Sequence, residues 1–398
     1  MAHHSTPSID LPSPEDACVI DLDSLYAAFA KLLDQRKARG KRYALALVLV
    51  LFVLAKLCGE DKPYGIAQWA RERTEHFLVL FGLSRASLPC HNTYRRVLAT
   101  AVRLADLQDT VSTFLTSYPN AGTDILVTFD GKTLRGTIPT GSSQGLHLLA
   151  VYLPHDGIVL AQIAVETKEN EIVAAPKVLA TVDLRGKIVI GDALQTQKEL
   201  SVQVVAAGGE YIWFIKDNHP QLREDVERLF QPESYVAGFS PLQTDFEIAQ
   251  QVDKGHGRLE ERTLTSSCLL NGYLDWPHVA QVFQLERRRT NTSTGETEAT
   301  VVYGVSSLTR QDVTAERLLQ ATRDYWEIEN GLHYRRDRTL REDDTRLSDD
   351  TRAEAIAILN NLIIGLVLRQ GWAYLPEARR HYAACLQDAF RLVLRQPT

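Results

Sequence analysis

The sequence has 398 residues, of which 44% are hydrophobic and 24% are charged. This length and composition are typical of a folded protein with more than one domain, and they exclude a chain that is disordered throughout. The 44 basic and 50 acidic residues give a formal charge of −6, which excludes DNA binding by net charge alone, so any phosphate contacts must come from local clusters of Lys and Arg.

The cysteines are scattered, and no CxxC pair occurs. We therefore expect neither a zinc site with nearby histidines nor a disulfide framework, and a reducing cytoplasm fits best. Residues 1–20 do not combine a basic segment with an apolar core, so we expect a flexible arm rather than a signal peptide. The cysteines are Cys18, Cys58, Cys90, Cys268 and Cys385.

Apolar residues recur at helical spacing through residues 21–120, which predicts an N-terminal all-α domain. Its most apolar run, residues 43–55, is shorter than the roughly 20 residues that span a membrane, so we expect a buried core helix and no membrane partner. Residues 64–70 and 89–98 are candidates for the two helices of a helix-turn-helix-like DNA-binding unit. A plain helical bundle is the equally weighted alternative.

Two apolar runs in the next part of the chain each end in an aspartate. Residues 124–129 precede Asp130 and a glycine, and residues 187–191 precede Asp192. Each run predicts a buried strand that carries one carboxylate to the sheet edge where α/β proteins bind ligands. An ordinary Asp-Gly turn is the alternative for Asp130 taken alone.

A third acid, Glu329, lies on a predicted helix. Three converging carboxylates can chelate a hard divalent cation, and such sites suit displacement at phosphorus. Glu327 lies about 200° from Glu329 around a regular helix, so only one of them can meet the aspartates. Further rival acids are Glu342, Asp343 and Asp344. Glu342 would lie roughly 20 Å from Glu329 along a continuous helix, which is too far for it to replace Glu329. We expect Glu342 instead to orient neighbouring arginines.

These residues resemble DDE transposases of bacterial insertion sequences, in the branch called H-repeat-associated proteins. The similarity extends over most of the chain and rests on short motifs in a fixed order. The motifs are residues 130–136, 168–172, 191–193, 216–220, 256–262, 326–333 and 342–346. The resemblance implies a ribonuclease H-like core with Asp130, Asp192 and Glu329 as the acidic triad. It also implies Mg²⁺ or Mn²⁺ as cofactor, and a homodimer on double-stranded DNA that carries element ends and target.

The strand pattern is consistent with that core. Three successive strands, a helix at residues 172–180 and the strand ending at Asp192 follow the order expected of a ribonuclease H-like sheet. The predicted fold class is therefore α/β, with a catalytic domain over residues 121–398. That domain would contain a β-rich insertion at residues 230–310 and a C-terminal helical part at residues 315–398.

Several basic, aromatic and polar residues near these motifs are candidates for DNA contacts. Solvent-exposed strand ends and loops are the alternative explanation for any one of them. Two other functions remain open: a metal-dependent nuclease without strand transfer, and a domesticated, non-catalytic DNA-binding protein. The candidate DNA contacts are Lys132, Arg135, Lys216, His256, Arg258, Trp326, His333 and Arg336.

Overall fold

The computed structural model describes residues 20–84, 87–123, 125–166, 170–231, 245–255 and 257–396. The chain divides into two compact units. A helical unit contains the chain before residue 122, residues 135–143 and the chain from residue 335 onward. A sheet unit contains residues 122–134 and 144–334. The predicted α/β class is confirmed at the level of a mixed α/β protein with a large sheet.

The helical unit is built around one apolar helix, α2, which is buried over its whole length. The predicted core helix is thus confirmed, and Lys56 within it is neutralised by Asp61, whose Oδ1 lies 3.2 Å from Nζ. The N-terminal helices are α1 (Leu25–Ala30), α2 (Leu45–Leu57), α3 (Pro63–Arg71), α4 (Thr74–Leu80), α5 (His91–Thr100) and α6 (Leu104–Thr116).

The helix-turn-helix prediction requires a correction. Its two helices exist as α3 and α5, and they pack together. However, α4 lies between them in the chain, so they are not joined by the short turn that defines the motif. The helical bundle, which was the alternative, describes this region better.

The sheet unit contains one sheet, which among the described residues has nine strands in the order β3-β2-β1-β4-β5-β9-β8-β7-β6. The strands are β1 (Leu126–Thr133), β2 (His147–Leu153), β3 (Ile158–Val165), β4 (Ile188–Gly191), β5 (Glu210–Ile215), β6 (Glu247–Gly255), β7 (Arg258–Ser267), β8 (Gln281–Asn291) and β9 (Thr297–Ser306).

Strands β1, β2 and β3 are antiparallel to one another, whereas β4 runs parallel to β1 and β5 runs parallel to β4. The parallel pairing of β1 with β4 ends at Thr128, while the pairing of β1 with β2 continues to Thr133. Asp130 and Asp192 therefore both lie just beyond the carboxyl end of the parallel pair, as the two apolar runs predicted.

The β-rich insertion forms strands, but it does not form a separate sheet. Strand β9 pairs antiparallel with β5, and β8, β7 and β6 follow outward. The first five residues of β9 are exposed, whereas its last four are buried. The insertion therefore extends the central sheet, and the end of the extension where β9 begins is exposed to solvent.

Four helices of the described part of the chain pack against strands of the sheet, and the first of them matches the helix predicted at residues 172–180. They are α7 (Glu171–Leu179), α8 (Lys198–Ala206), α9 (Pro220–Phe230) and α10 (Ala315–Asp324). After α10 the chain does not continue as the regular helix expected at residues 323–333. It forms two π-helical turns, Ile328–His333 and Arg335–Thr339. Such turns are rare and occur often at functional sites.

The C-terminal helices pack on the N-terminal ones, whereas the sequence-based scheme grouped them with the catalytic domain. They are α11 (Asp350–Arg369), α12 (Leu375–Ala384) and α13 (Leu386–Leu394), and α11 contacts α5 and α6. The reason is that α11 is apolar on nearly all sides and needs burial all round. Its length and hydropathy also match a membrane span, but 83% of its most apolar window is buried inside the protein.

Candidate active site

Asp130 lies in β1 where that strand has lost its parallel neighbour and pairs only with β2. Its side chain is 19% exposed. Burial, together with the negative charges of Glu329 and Glu171, raises the pKa of Asp130 well above its ordinary value. Asp130 therefore lies in a partly buried position where several negative charges are close together.

Asp192 follows β4 directly and caps a short 3₁₀ turn, Ala193–Gln195. Its Oδ1 accepts hydrogen bonds from the backbone N–H groups of Leu194, at 2.9 Å, and Gln195, at 3.3 Å. The turn is also held from the loop after β5, because Asn218 Nδ2 donates to the carbonyl of Ala193 at 2.7 Å. Burial raises the pKa of Asp192, and it outweighs the opposing backbone hydrogen bonds.

The π-helical turn Ile328–His333 contributes two more groups. His333 Nδ1 lies 3.7 Å from Asp130 Oδ2 and 3.7 Å from Glu329 Oε2. Glu329 is half-exposed, whereas His333 is buried. The imidazole lowers the pKa of Glu329, the opposite direction to the shift of Asp130. Glu329, rather than Glu327, thus meets Asp130, since the carboxylate of Glu327 lies against Gly331.

These groups have the composition of a divalent-cation site. Ligand atoms of Asp130, Glu329 and His333 all lie within 4.8 Å of one another. Carboxylate oxygens suit Mg²⁺ and Mn²⁺. Asp192 is not in this group of three, but its charge contributes to the raised pKa of Asp130. A bound cation would offset the repulsion among these acids, so the residues fit the cofactor implied by the resemblance.

A second group of ligand-type residues occurs in the helical unit, where His381, Cys385 and Asp388 approach within 4.8 Å. The expectation that no cysteine lies near histidine ligands is therefore wrong at Cys385. Asp388 is 2.9 Å from His381 Nε2 and accepts a hydrogen bond from Arg391 at 2.8 Å. Because Arg391 already supplies the positive charge, the group carries less evidence for a metal than the Asp130 cluster does.

Three of the predicted DNA contacts, Lys132, Lys216 and His333, lie close to the acids. His333 is the buried imidazole beside Asp130 and Glu329, so the structure does not expose it for a DNA contact. Lys132 is buried, and its charge helps to lower the pKa of Glu329. Lys216 is exposed at the end of β5, and its charge acts on Asp192 in the same direction. Both lysines therefore balance the negative charge of the site.

The remaining predicted contacts have varied positions. The Arg135 side chain is 80% exposed. Arg258 is exposed at the start of β7, and His256 lies outside the described residues. Trp326 is 44% exposed, with the guanidinium of Arg287 5.3 Å from its ring centre.

Arg336 has a different environment from the one predicted. Its side chain is fully buried, and Nε donates to Glu342 Oε2 at 2.8 Å. Glu342 also accepts a hydrogen bond from Asn360 Nδ2 at 2.9 Å. A DNA contact needs an accessible guanidinium, so this structure assigns Arg336 to a buried ion pair instead. Glu342 has the arginine-orienting role that the sequence suggested for it.

Basic residues of the sheet extension are interleaved with acids. Glu260 lies 2.8 Å from Arg262, 3.7 Å from Arg287 and 3.3 Å from Arg289. Arg288 pairs with Glu286 at 2.7 Å. The three consecutive arginines, Arg287, Arg288 and Arg289, are consequently neutralised in part, which weakens the case for a DNA-binding patch at this position.

Sequence reasoning missed three residues around the acids: His147, Glu171 and Gln195. Glu171 raises the pKa of both Asp130 and Asp192 through its charge. One signal was present in the sequence, because Glu171 lies in the motif at residues 168–172 and opens a predicted helix. No sequence pattern connected it to His147 or Gln195.

The sequence matches known protein families over most of its length. The family described as "Transposase DDE domain" matches residues 122–366, and the one described as "DDE_Tnp_1-associated" matches residues 26–115. "H repeat-associated putative transposase YhhI" of Escherichia coli K12 is 26% identical over 356 residues, or 87% of this chain and 91% of its own length. "Uncharacterized protein in dhlA 3'region" of Xanthobacter autotrophicus is 31% identical over 272 residues, or 66% and 87%.

One solved structure is similar at a greater distance. It is a cryo-EM structure of the piggyBac transposase synaptic complex with hairpin DNA, with a TM-score of 0.43 and 11% identity. The alignment covers 97% of this chain and 82% of that chain. A likeness of this size does not define the fold.

Proposed function

This chain is a member of the DDE transposase family, and from that premise we propose that it cuts DNA at the ends of an insertion sequence and joins those ends to target DNA. The observation that carries the proposal is the meeting of Asp130, Glu329 and His333 from two distant parts of the sequence, with Asp192 at the neighbouring strand end. We further propose that the core is ribonuclease H-like, and the order β3-β2-β1-β4-β5 supports this assignment.

In the proposed mechanism, Asp130, Asp192 and Glu329 hold Mg²⁺ or Mn²⁺. Bound there, such an ion would supply the activation of water, and then of a 3′-hydroxyl, for attack on a phosphodiester, together with stabilisation of the charge on the leaving oxygen. The residues of the chain hold these acids in place. The 3₁₀ turn fixes the carboxylate of Asp192 through backbone N–H groups, and β1 fixes Asp130 on a paired strand. His333 restrains the two carboxylates beside it.

DNA would approach the site along exposed basic and aromatic side chains. Lys216 and Arg258 are exposed, and the face of Trp326 offers a surface on which a base can stack. Arg135 is a further phosphate contact in the proposal, and His256 follows only from the family motif. Since an insertion sequence has two ends, we propose a homodimer on DNA, acting in the cytoplasm at the nucleoid.

The test uses the full chain with labelled duplexes taken from the DNA that flanks its gene, in Mg²⁺ or Mn²⁺ and in EDTA. We expect metal-dependent cutting followed by joining of the 3′ ends to a plasmid. Cutting without joined products would reduce the activity to that of a nuclease. Binding without metal-dependent cutting would identify a domesticated DNA-binding protein and overturn the proposal.

A further inference from the structure

We propose that Glu171 is a positioning residue that holds both strand-end aspartates in the geometry that binds a divalent ion. This inference rests on the proposed function, because it concerns the same acidic site. Glu171 acts through three neighbours, Thr133, His147 and Gln195. We call these four residues the Glu171 network.

Glu171 is the first residue of α7, and its carboxylate is 18% exposed. One oxygen, Oε1, lies 2.8 Å from Nε2 of His147. The other, Oε2, accepts a hydrogen bond from Nε2 of Gln195 at 2.8 Å. An ionised carboxylate can only accept hydrogen bonds, so the Nε2–H of His147 donates to Oε1. Both oxygens are thus directed to side chains on other elements.

One branch of the network reaches Asp192. Gln195 ends the 3₁₀ turn that Asp192 caps, and its backbone N–H donates to Asp192 Oδ1 at 3.3 Å. The Gln195 side chain is fully buried and bonded to Glu171. Holding that side chain therefore restrains the turn that orients the carboxylate of Asp192.

The other branch reaches Asp130. His147 lies opposite Thr133 in the pairing of β1 with β2, and its Nδ1 is 2.8 Å from Thr133 Oγ1. Gly131 follows Asp130, and a side chain there would collide with Glu171 Oε1 and His147 Nε2. The Glu171–His147 pair consequently lies directly against the backbone beside Asp130.

The network therefore connects β1, β2, α7 and the turn after β4 through one carboxylate. Asp130 and Asp192 belong to elements that no longer pair with each other at this point, because the ladder between β1 and β4 ends at Thr128. Hydrogen-bonded residues behind the ligands of a metal site typically change metal affinity or activity by about 10–100-fold when mutated. Glu171 has the contacts expected of such a residue.

The experiment measures Mn²⁺ binding to the full chain by electron paramagnetic resonance, without DNA. We expect Glu171→Gln to weaken Mn²⁺ binding by about 10–100-fold. Glu199→Gln is the matched control, because Glu199 lies in the first turn of α8 and is exposed. It should bind Mn²⁺ as the wild type does. In the cleavage assay, raising the Mn²⁺ concentration should restore most of the Glu171→Gln rate, which a misfolded site would not allow.

Gln195→Ala keeps Glu171 and removes only the branch to Asp192, so it tests the network if Glu171→Gln does not fold. It should also weaken Mn²⁺ binding. Wild-type Mn²⁺ affinity in a folded Glu171→Gln or Gln195→Ala protein would overturn the inference. Asp130→Asn separates this failure from failure of the proposed function. If Asp130→Asn abolishes Mn²⁺ binding while Glu171→Gln does not, only the positioning role of Glu171 is contradicted. Unchanged Mn²⁺ binding in Asp130→Asn would contradict the metal site itself.

Discussion

Two carboxylates that follow each other closely in the sequence have opposite surroundings. Glu329 lies beside Asp130, another acid, in a partly exposed group that contains the imidazole of His333. Glu342 is buried against the guanidinium of Arg336, with Asn360 as a further donor. The negative charge of Glu329 is therefore only partly compensated, whereas that of Glu342 is balanced by the full positive charge of Arg336.

The surroundings of an acid determine whether it is available to bind a cation. A buried ion pair satisfies its own charge and offers nothing to a cation, whereas acids grouped together repel each other and favour one. Burial and this repulsion together raise the pKa of Asp130. The sequence displays Glu329 and Glu342 alike, and only the groups opposite them separate a candidate ligand from a structural residue.

The largest effect should follow from removing a carboxylate of the acidic group. Asp130→Asn and Asp192→Asn each remove a charge and little volume, so DNA cutting should fall by roughly 10³-fold or more. DNA binding and folding should be retained. Substantial cutting by either variant would contradict the site.

Asp130→Asn also tests the raised pKa of Asp130. Because that pKa is raised in the folded state, the wild type loses stability as the pH rises. The metal-free Asp130→Asn protein should therefore have a melting temperature at pH 9 no lower than that of the wild type.

Breaking the matched pair should instead damage the fold. Arg336→Met leaves Glu342 buried without its guanidinium, and we expect a loss of about 3–5 kcal/mol in the free energy of unfolding. Chemical denaturation measures this loss. Arg338→Met, at an exposed position, is the control and should change the free energy by about 0.5 kcal/mol or less. Wild-type stability in Arg336→Met would mean that the ion pair between Arg336 and Glu342 does not stabilise the fold.

Glu354 is a partly buried acid outside the site, and no basic partner in the described part of the chain balances its pKa shift. Burial and the charge of Asp350 raise its pKa from 4.5 to about 7. Folding stability should therefore be lost as the pH rises from about 4.5 through 7, and Glu354→Gln should abolish that loss. The variant should exceed the wild type by about 1–3 kcal/mol at pH 8 and by almost nothing below pH 4.5. Equal stability of the variant and the wild type at both pH values would contradict the raised pKa of Glu354.

Much of the sheet could be predicted from the sequence. The apolar runs before Asp130 and Asp192 identify two buried strands, and strand periodicity places both acids beyond the apolar segments. The extension strands β6–β9 all lie within the β-rich insertion predicted at residues 230–310. Alternation does not reveal which edge a strand joins, however, so the continuity of the extension with β5 could not be predicted.

The candidate site was less predictable, for two physical reasons. A regular helical period was assumed after α10, whereas the chain forms π-helical turns, which no simple periodicity signals. The second reason is that the Glu171 network depends on the register of β1 with β2 and on the position of α7. Local sequence does not specify either. Likewise, a basic residue such as Arg336 looks the same in the sequence whether it contacts solvent or fills a core.

The assignment of Glu329 to the acidic site can be tested by comparing two neighbouring glutamates in the metal-dependent cleavage assay. Glu329 lies with Asp130 and His333, while the carboxylate of Glu327 lies against Gly331. We expect Glu329→Gln to leave no detectable Mg²⁺-dependent cutting and Glu327→Gln to cut at nearly the wild-type rate. An active Glu329→Gln protein beside an inactive, folded Glu327→Gln protein would contradict the assignment.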